Sequence, residues 1–538
     1  MKCELKPKKR YLLRIITPAY PAFNVYSVLA DKTTALGPLY VGSAAQKVEN
    51  WDVEIIDENN LRRFGPRDPE RGADHNFLQK QRPADVVGFY GGLTSTIPRV
   101  YELAKFYKKQ GAITIAGGQH FVPETIPEAL SSNLDLVVLG EGEEAIKELL
   151  HAFIEGKKLD SIAGLAYKKD NKIFYTPKRP PIQDLDKLPL PDFSLIRYAK
   201  VILFPVGRVR GCGMNCEFCA VKGKARYASA EHLLGQISKA LETSSAREFF
   251  IVDDLFAQDR AETLRLCKLL KEYQDSIGKR LTITAQIRLD KAKDTELLQA
   301  MREANIGNIC IGIESPIDEE LKAMRKGLKF EDMIKLAKVF HNFGFFIHGM
   351  FIFGYPMREG IKFNMSVPER IKHFKKFINK ARLDTIQVLL PVPLPGTEMR
   401  ERLLKQSRVY PLDDLGWEYY DGNFPLIEPD KPLTPEEVQM GVWKIMSRFY
   451  KSRYIINFLL NISSMPHLVL YFHKLKIGWR KWYRKWRTHV YRIGGAKIIK
   501  KWTHQFYKGP FFEKLQKAKS DLKNIAPSHH KLHDKIHG

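Results

Sequence analysis

The stretch Arg210-Gly211-Cys212-Gly213-Met214-Asn215-Cys216-Glu217-Phe218-Cys219 decides how the rest of the chain is read. It sets three cysteines at spacings of four and three residues, half of the six in the chain. Thiolates this close in one loop can converge on a single soft metal centre. A structural zinc site needs four closed ligands, and no fourth Cys or His follows at finger spacing. Three cysteines on a four-iron cluster leave one iron without a protein ligand, open to a small molecule. A buried structural loop or three unrelated thiols are the plain alternatives.

Around this loop the chain alternates between strand and helix signals. Val201–Val206 reads as a strand leading into the cysteines. Further strands are expected over Phe249–Val252, Leu281–Ala285, Ile309–Ile313, Phe346–Phe353 and Thr385–Leu390, with amphipathic helices between them. Six β/α repeats fall short of the eight of a closed barrel. Polar residues gather where such strands end: Asp253-Asp254, Gln286, Glu314-Ser315, Gly354 and Pro393–Thr397. Glu314 could equally sit in the cap of the following helix. Cys267 and Cys310 read as buried, inert thiols. Arg208 and Arg210 could offset negative charge at the cysteine loop or lie solvated at a strand edge.

Upstream, strands are expected over Tyr11–Ile16, Asp52–Asp57, Val86–Tyr90, Ile113–Ala116 and Leu134–Leu139. Helices fall over Leu39–Glu49, Ile97–Gln110 and Glu143–Glu155. This pattern predicts a doubly wound, Rossmann-like parallel sheet. Three strands end in glycines: Gly91-Gly92, Gly117-Gly118 and Gly140-Glu141-Gly142. Ligands in such sheets bind beyond the carboxyl ends of the strands. Any one pair reads as a tight turn; three at equivalent positions point to a binding edge. None matches G-x-G-x-x-G, which disfavours a dinucleotide. Proline-dense Tyr175–Asp192 is a semi-rigid connector.

C-x3-C-x2-C with an aromatic before its last Cys, just after a strand, resembles the radical SAM enzymes. The resemblance implies that Cys212, Cys216 and Cys219 hold a [4Fe-4S] cluster whose open iron is chelated by S-adenosylmethionine. One-electron reduction of the sulfonium then yields a 5′-deoxyadenosyl radical that abstracts hydrogen. It also implies a partial (β/α)6 TIM-type barrel. Glu314 would bond the SAM ribose, and Asp253 and Gln286 would lie near the SAM methionine or ribose. Gly354 and the strand-six loop would lie near adenine. Phe218 would pack on adenine, shield the cluster, or serve as a core aromatic.

The N-terminal segment resembles the cobalamin-binding domain of one large radical SAM subfamily. The resemblance rests on Gly88–Ser95, Ala116–His120 and Leu139–Glu143. It implies that Gly91, Gly92, Thr94, Gly117, Gly118, His120, Gly140 and Glu141 cradle cobalamin. The chain departs from D-x-H-x-x-G: Asp57-Glu58-Asn59-Asn60-Leu61-Arg62 contains no histidine. His120 is then a substitute cobalt ligand, or a contact to the nucleotide tail or a strand end.

The 538 residues exceed one core, and about two to four domains are expected. We divide the chain into a cobalamin-type domain over 1–180, a linker over 181–199, a radical SAM core over 200–425, and a helical, basic C-terminal region over 426–538. The net charge is +26, and from Gly441 onward 22 Lys/Arg face 3 Asp/Glu. The charge therefore describes the tail's partner rather than the catalytic body's. Met1–Glu4 lacks the apolar core of a signal, and few, clustered cysteines argue for a reducing cytoplasm.

Thr434-Pro435-Glu436-Glu437 opens a helix. Tyr454–Phe472 carries no charge but is broken by Pro466, favouring short or interfacial helices over a membrane span. Trp479–Arg487 interleaves tryptophan with cations. It suits an anionic membrane surface, single-stranded nucleic acid, or packing of Trp on the barrel; nucleic acid is the less favoured partner. His529, His530, His533 and His537 have no convincing metal spacing.

The implied function is methyl transfer from methylcobalamin to an unactivated carbon of a small-molecule or lipid-like substrate. A low-potential donor such as flavodoxin or ferredoxin supplies electrons, in the cytoplasm or peripherally at the membrane inner face. Cyclisation or rearrangement of a soluble metabolite, peptide or RNA is the enzymatic alternative. A nonenzymatic cobalamin and iron–sulfur regulator is the alternative from another class.

Overall fold

A computed structural model describes residues 5–24, 27–62, 64–361, 363–451, 486–496, 498–500, 502–503 and 509–536. Most of Tyr454–Phe472 and Trp479–Arg487 therefore lies outside the described residues. The chain divides into two compact units. The first holds Met1–Gly213, Ala220–Asp253 and Leu394–Thr397; the second holds Met214–Cys219, Asp254–Pro393 and Glu398–Gly538.

In the first unit the strands are β1 (Tyr11–Thr17), β2 (Trp51–Asp57), β3 (Val86–Tyr90), β4 (Ile113–Gly117), β5 (Leu136–Val138), β6 (Leu165–Lys169), β7 (Lys172–Tyr175) and β8 (Ile196–Arg197). Their order is β7-β6-β5-β4-β3-β1-β2-β8. The parallel core 2-1-3-4-5 has its topological switch point between β1 and β3. The sequence pattern missed the hairpin β6–β7, which adds antiparallel strands beside β5. Its outer strand, Lys-Ile-Phe-Tyr, is largely exposed and too short to show a period-two signal. β8, inside the 181–199 linker, pairs with β2 through Ile55 and Ile196.

β1 is buried along its whole length, yet it carries Arg14. The guanidinium is satisfied by Glu54, Gln79, the Tyr107 hydroxyl and the carbonyls of Leu78 and Arg82. A buried charge persists only with such a full set of partners.

The remaining strands are β9 (Leu203–Val206), β10 (Val209–Arg210), β11 (Arg226–Tyr227), β12 (Glu248–Phe256), β13 (Thr282–Ile287), β14 (Ile306–Glu314), β15 (Phe346–Ile352) and β16 (Thr385–Leu389). Six of them form one sheet in the order β16-β15-β14-β13-β12-β9, the partial barrel of six β/α units. Each of β13–β16 alternates sealed and half-buried residues. Ile283, Ile309, Ile347 and Ile386 are on the sealed face.

The second unit continues into helix Pro435–Phe449, which opens with a capping box in which Thr434 accepts from the Glu437 amide at 3.2 Å. Residues 486–496 are helical and pack on the barrel. Arg487 meets Asn308 and lies 4.5 Å from the Phe346 ring centroid, and Thr488 donates to Asp384. Arg492 donates to the carbonyls of Leu383 and Asp384. Part of the basic excess thus lines the amino-terminal rim of the barrel strands rather than a solvated face. Among the described residues no helix is long and apolar enough to cross a membrane.

Candidate functional site

The cysteine loop has almost no regular structure, and Cys212, Cys216 and Cys219 are all half-buried. Gly211 takes φ +83°, and a Cβ there would meet the Lys224 carbonyl oxygen at 2.8 Å, so glycine is required. The Gly213 amide donates to the Gly223 carbonyl at 3.0 Å. In the first unit, Arg210 pairs with Glu141 at 3.0 Å and with Glu143, and its guanidinium lies 5.0 Å from the Tyr40 ring centroid. Arg226 also pairs with Glu141, at 2.9 Å. Glu141, a residue of the expected cobalamin edge, thus spends its carboxylate on two arginines and the Ile182 amide. Arg210 is held by two carboxylates of its own.

Asp253 likewise has a structural partner. It is 2% exposed and accepts from the amides of Arg208 at 2.6 Å and Val209 at 2.9 Å, fixing the chain just before the cysteines. Strand alternation puts Asp254, half-buried, on the opposite face.

In the second unit, Glu217 is fully buried. It accepts from the Tyr355 hydroxyl at 2.9 Å and from Arg402, with Arg358 at 3.6 Å. Sequence reading gave this residue no role; the only signal was an acid between two expected ligands. Phe218 packs edge-on to Tyr355 at 6.1 Å, in a cluster with Met324, Met357, Met399 and Leu403. It packs half-buried against that cluster.

Glu314 ends β14 with φ +63° and is paired with the Lys326 ammonium at 2.9 Å. A Cβ at Gly312 would come within 2.4 Å of the Glu314 carboxylate, so glycine leaves room for that pair. Burial alone would depress the Lys326 pKa, but Glu314 outweighs it and, with Cys216 adding, raises it. Lys326, Glu314, Cys216 and Arg288 are therefore electrostatic neighbours. Arg288 also reaches the Met214 sulfur at 3.3 Å. Nothing in the sequence marks Lys326, because the tertiary fold brings it back 12 residues after Glu314. Gln286 lies on the half-buried face of β13 opposite Cys310. Gly354 takes φ +73° and faces Val438 at 3.2 Å, which helix packing explains.

At the carboxyl edge of the N-terminal sheet, Gly91, Gly92 and Gly118 serve loop-on-loop packing. Added Cβ atoms would meet Phe121 at 2.3 Å, Tyr90 at 2.1 Å and the Gly91 backbone at 2.6 Å. Gly117 has only ordinary contact with Val138, and Gly140, at φ +90°, faces open space. His120 is 1% exposed, and its Nδ1 lies 3.4 Å from the Thr94 hydroxyl.

A cavity of about 120 Å³ opens at the ends of β1, β2 and β3, beside the switch point. Thr17, Tyr20, Thr34, Asp57, Asn59 and Tyr90 are among its lining residues. The Thr17 hydroxyl is buried there without a hydrogen-bond partner. Burial pushes Asp57 up to about 6 and Tyr20 to about 12. Next to Asp57, burial would raise Glu58, but hydrogen bonds from His75 and Arg99 hold it down at about 2.

The two neighbours have opposite linkage. Asp57 binds its proton more tightly when folded, so the stability it contributes is greatest below about pH 4 and is lost as pH rises to about 6. Glu58 contributes stability above about pH 4.5 that is lost as pH falls toward 2. Asp57→Asn is therefore expected to stabilise the chain by about 1–3 kcal/mol at pH 7.5 and to have little effect near pH 4. Urea denaturation at the two pH values measures the difference.

The comparisons agree with this geometry. Residues 207–361 match the radical SAM superfamily, and residues 25–150 match the B12 binding domain. The chain belongs to the radical SAM proteins that carry a B12-binding domain. It is similar to an uncharacterized methyltransferase of Pyrococcus horikoshii, 28% identical over 452 residues that cover 82% of this chain and 92% of the relative. A putative methylthiotransferase of Methanocaldococcus jannaschii is 31% identical over 392 residues, covering 68% of this chain and 80% of the relative. The fold matches that of the cobalamin-dependent S-adenosylmethionine radical enzyme OxsB with aqua-cobalamin and S-adenosylmethionine bound. There the TM-score is 0.62 at 14% identity, covering 96% of this chain and 81% of OxsB.

The protein is thus a radical SAM enzyme, and its cofactors are a [4Fe-4S] cluster, S-adenosylmethionine and cobalamin. The residues present suit them. Three half-buried thiols share one loop, and within the second unit Lys326 and Arg288 are electrostatic neighbours at Cys216. Among the described residues no three Cys, His, Asp or Glu side chains stand in a metal-holding arrangement. The thiols share a loop rather than a preformed cage, as in sites ordered by the metal they bind. The open Gly140 edge leaves room for a corrin against the backbone, and the small, mainly apolar cavity beside the switch point exposes a few polar groups, among them Thr17 and Asn59.

Proposed function

We propose that this enzyme transfers a methyl group to an unactivated carbon of a small-molecule substrate. The reading is carried by one observation: a radical SAM region and a B12-binding domain occur in the same chain, as residues 207–361 and 25–150. The name of the Pyrococcus relative supports the methyl-transfer outcome.

Bound together, these cofactors supply a reductively cleaved sulfonium and a transferable methyl group. Cys212, Cys216 and Cys219 would hold the cluster. Glu314 would accept from ribose hydroxyls once Lys326 turns from it, and Lys326 would then be free to meet a carboxylate. Its pairing with Glu314 keeps both charges satisfied until the ligand arrives. Glu217, locked to Arg402 and Tyr355, sets the direction of the two cysteines beside it. Gly117 and Gly140 would let the corrin approach the backbone at the ends of β4 and β5.

Anaerobic incubation with dithionite and S-adenosylmethionine tests the reading. It is expected to give 5′-deoxyadenosine, and the as-purified protein is expected to carry both iron–sulfur and corrin absorbance. With cell extract as the substrate source, deuterated methyl-SAM should label a small molecule with one methyl group. Protein loaded with both cofactors that forms no 5′-deoxyadenosine would overturn the proposal.

A further inference from the structure

In the first unit a short antiparallel ribbon borders the start of the cysteine loop. Val209 pairs with Tyr227 and Arg210 with Arg226, so β10 and β11 bracket the segment that carries the cysteines. Just before β11 the chain turns through Lys222-Gly223-Lys224, and all three residues are exposed. This turn lies directly on the loop. The Gly223 carbonyl accepts from the Gly213 amide at 3.0 Å, and the Lys224 carbonyl oxygen stands 2.8 Å from where a Gly211 Cβ would be. Gly211 and Gly213 flank Cys212, so one hydrogen bond joins the turn to the Cys212–Gly213 peptide. Gly223 takes φ +92°, and among the described residues nothing lies within 4 Å of where its Cβ would be. The outer side of the turn is therefore open.

The cations here are of two kinds. Arg210 and Arg226 stand opposite each other and would repel, but Glu141 and Glu143 pair with them. Arg208 is buried and donates to the Ala228 carbonyl at 2.9 Å. These three build the ribbon. Lys222 and Lys224 stand in an exposed turn instead, and Ala220–Ala230 contains no acid. Packing does not explain two ammonium groups beside the cysteine loop. Each 5′-deoxyadenosyl radical takes one electron, which enters from outside the chain. Electron transfer falls steeply with distance, so the donor has to touch the surface nearest the cysteines. Electron-transfer complexes are small and transient, and a few charges suffice to steer them.

We propose that Lys222-Gly223-Lys224 is the docking point of an acidic flavoprotein that reduces the cluster. Gly223 offers bare backbone between two ammonium groups. A planar ring exposed at a protein surface can reach that backbone, and carboxylates around the ring would meet the two lysines. One electron leaves the flavin hydroquinone anion, which becomes the neutral semiquinone, and the cluster gains that electron. The hydrogen bond from Gly213 to Gly223 gives it a bonded route to Cys212. The inference rests on the radical chemistry proposed above.

Stopped-flow mixing of the holoenzyme with a photoreduced acidic flavodoxin tests it. Absorbance follows hydroquinone turning to semiquinone, and electron paramagnetic resonance follows the electron arriving on the cluster. Lys222→Glu/Lys224→Glu is expected to slow the transfer about tenfold at low ionic strength and to flatten its salt dependence. Lys222→Arg/Lys224→Arg should keep the wild-type rate. Lys168→Glu/Lys172→Glu makes the same change of net charge on hairpin β6–β7, at the end of β5 away from Glu141, and should have little effect. An unchanged rate in the first variant, or an equal loss in the hairpin variant, would overturn the proposal. An acidic ferredoxin that outpaces flavodoxin would overturn the choice of a flavin. Methyl viologen, a small reductant that needs no docking, separates the two readings. It should yield 5′-deoxyadenosine in the wild type and in the first variant alike. If it does so while the flavodoxin rates come out wrong, only the docking point fails; if it yields none in the wild type, the chemistry fails with it.

Discussion

Alanine at Cys216 is expected to reduce 5′-deoxyadenosine formation to background while leaving the far-ultraviolet circular dichroism of the chain unchanged. Cys216 sits half-buried in an irregular loop, so its sulfur supports no core packing. What it supplies is one of three thiolates, and two cannot hold a four-iron cluster. Bound iron should fall in step with the activity. Serine at the same position should behave like alanine, because an alkoxide is a poor substitute for a soft sulfur ligand. The same substitutions at Cys267 should leave bound iron unaltered, since that thiol is 1% exposed within a helix face. Retention of iron and of 5′-deoxyadenosine formation by the Cys216 variant would remove the cluster from this loop.

Replacing Glu217 by alanine is expected to destabilise the second unit by about 3–5 kcal/mol, the cost of breaking a buried ion pair from one side. Arg402 and the Tyr355 hydroxyl both lose their acceptor, and Arg358 loses a neighbouring charge. Glutamine, which keeps a carbonyl oxygen but no charge, should cost less, about 1–3 kcal/mol. Urea denaturation measures the loss. The iron content of the folded fraction reports a second effect, because Glu217 lies between Cys216 and Cys219 and its backbone carbonyl accepts from the Met399 amide at 3.1 Å. Loss of the anchor should lower cluster occupancy even where the unit remains folded. A purely structural acid remote from the loop would change stability without changing iron.

Much of the fold was legible because strand and helix signals depend on local order. Apolar runs such as Tyr11-Leu12-Leu13 and Ile309-Cys310-Ile311 mark strands wherever they occur, and the glycines after β3, β4 and β5 mark sharp turns. The hairpin β6–β7 escaped because its strands are only five and four residues long and the second is exposed although it reads Lys-Ile-Phe-Tyr, so neither shows a sustained alternation. The roles of Glu141 and Asp253 were not legible either. Both are acids at strand ends, where an acid can meet a ligand, an arginine or a backbone amide. Only the approach of Arg210, Arg226 and the Arg208 amide decides which.

The sequence by itself determined the cluster loop, because three ligands within eight residues need no tertiary contact to be neighbours. It also determined the order of the longer strands and helices, though not the short strands β6–β8, β10 and β11, since period and turn residues are properties of short stretches. Tertiary structure alone decided which carboxylates remain available, which face of each barrel strand is open, and where the basic tail goes. Arg487, Asn308 and Phe346 meet across more than a hundred residues of chain. Burial and pairing of charges are collective, set by whichever distant groups exclude water from a given atom, and no local pattern encodes them.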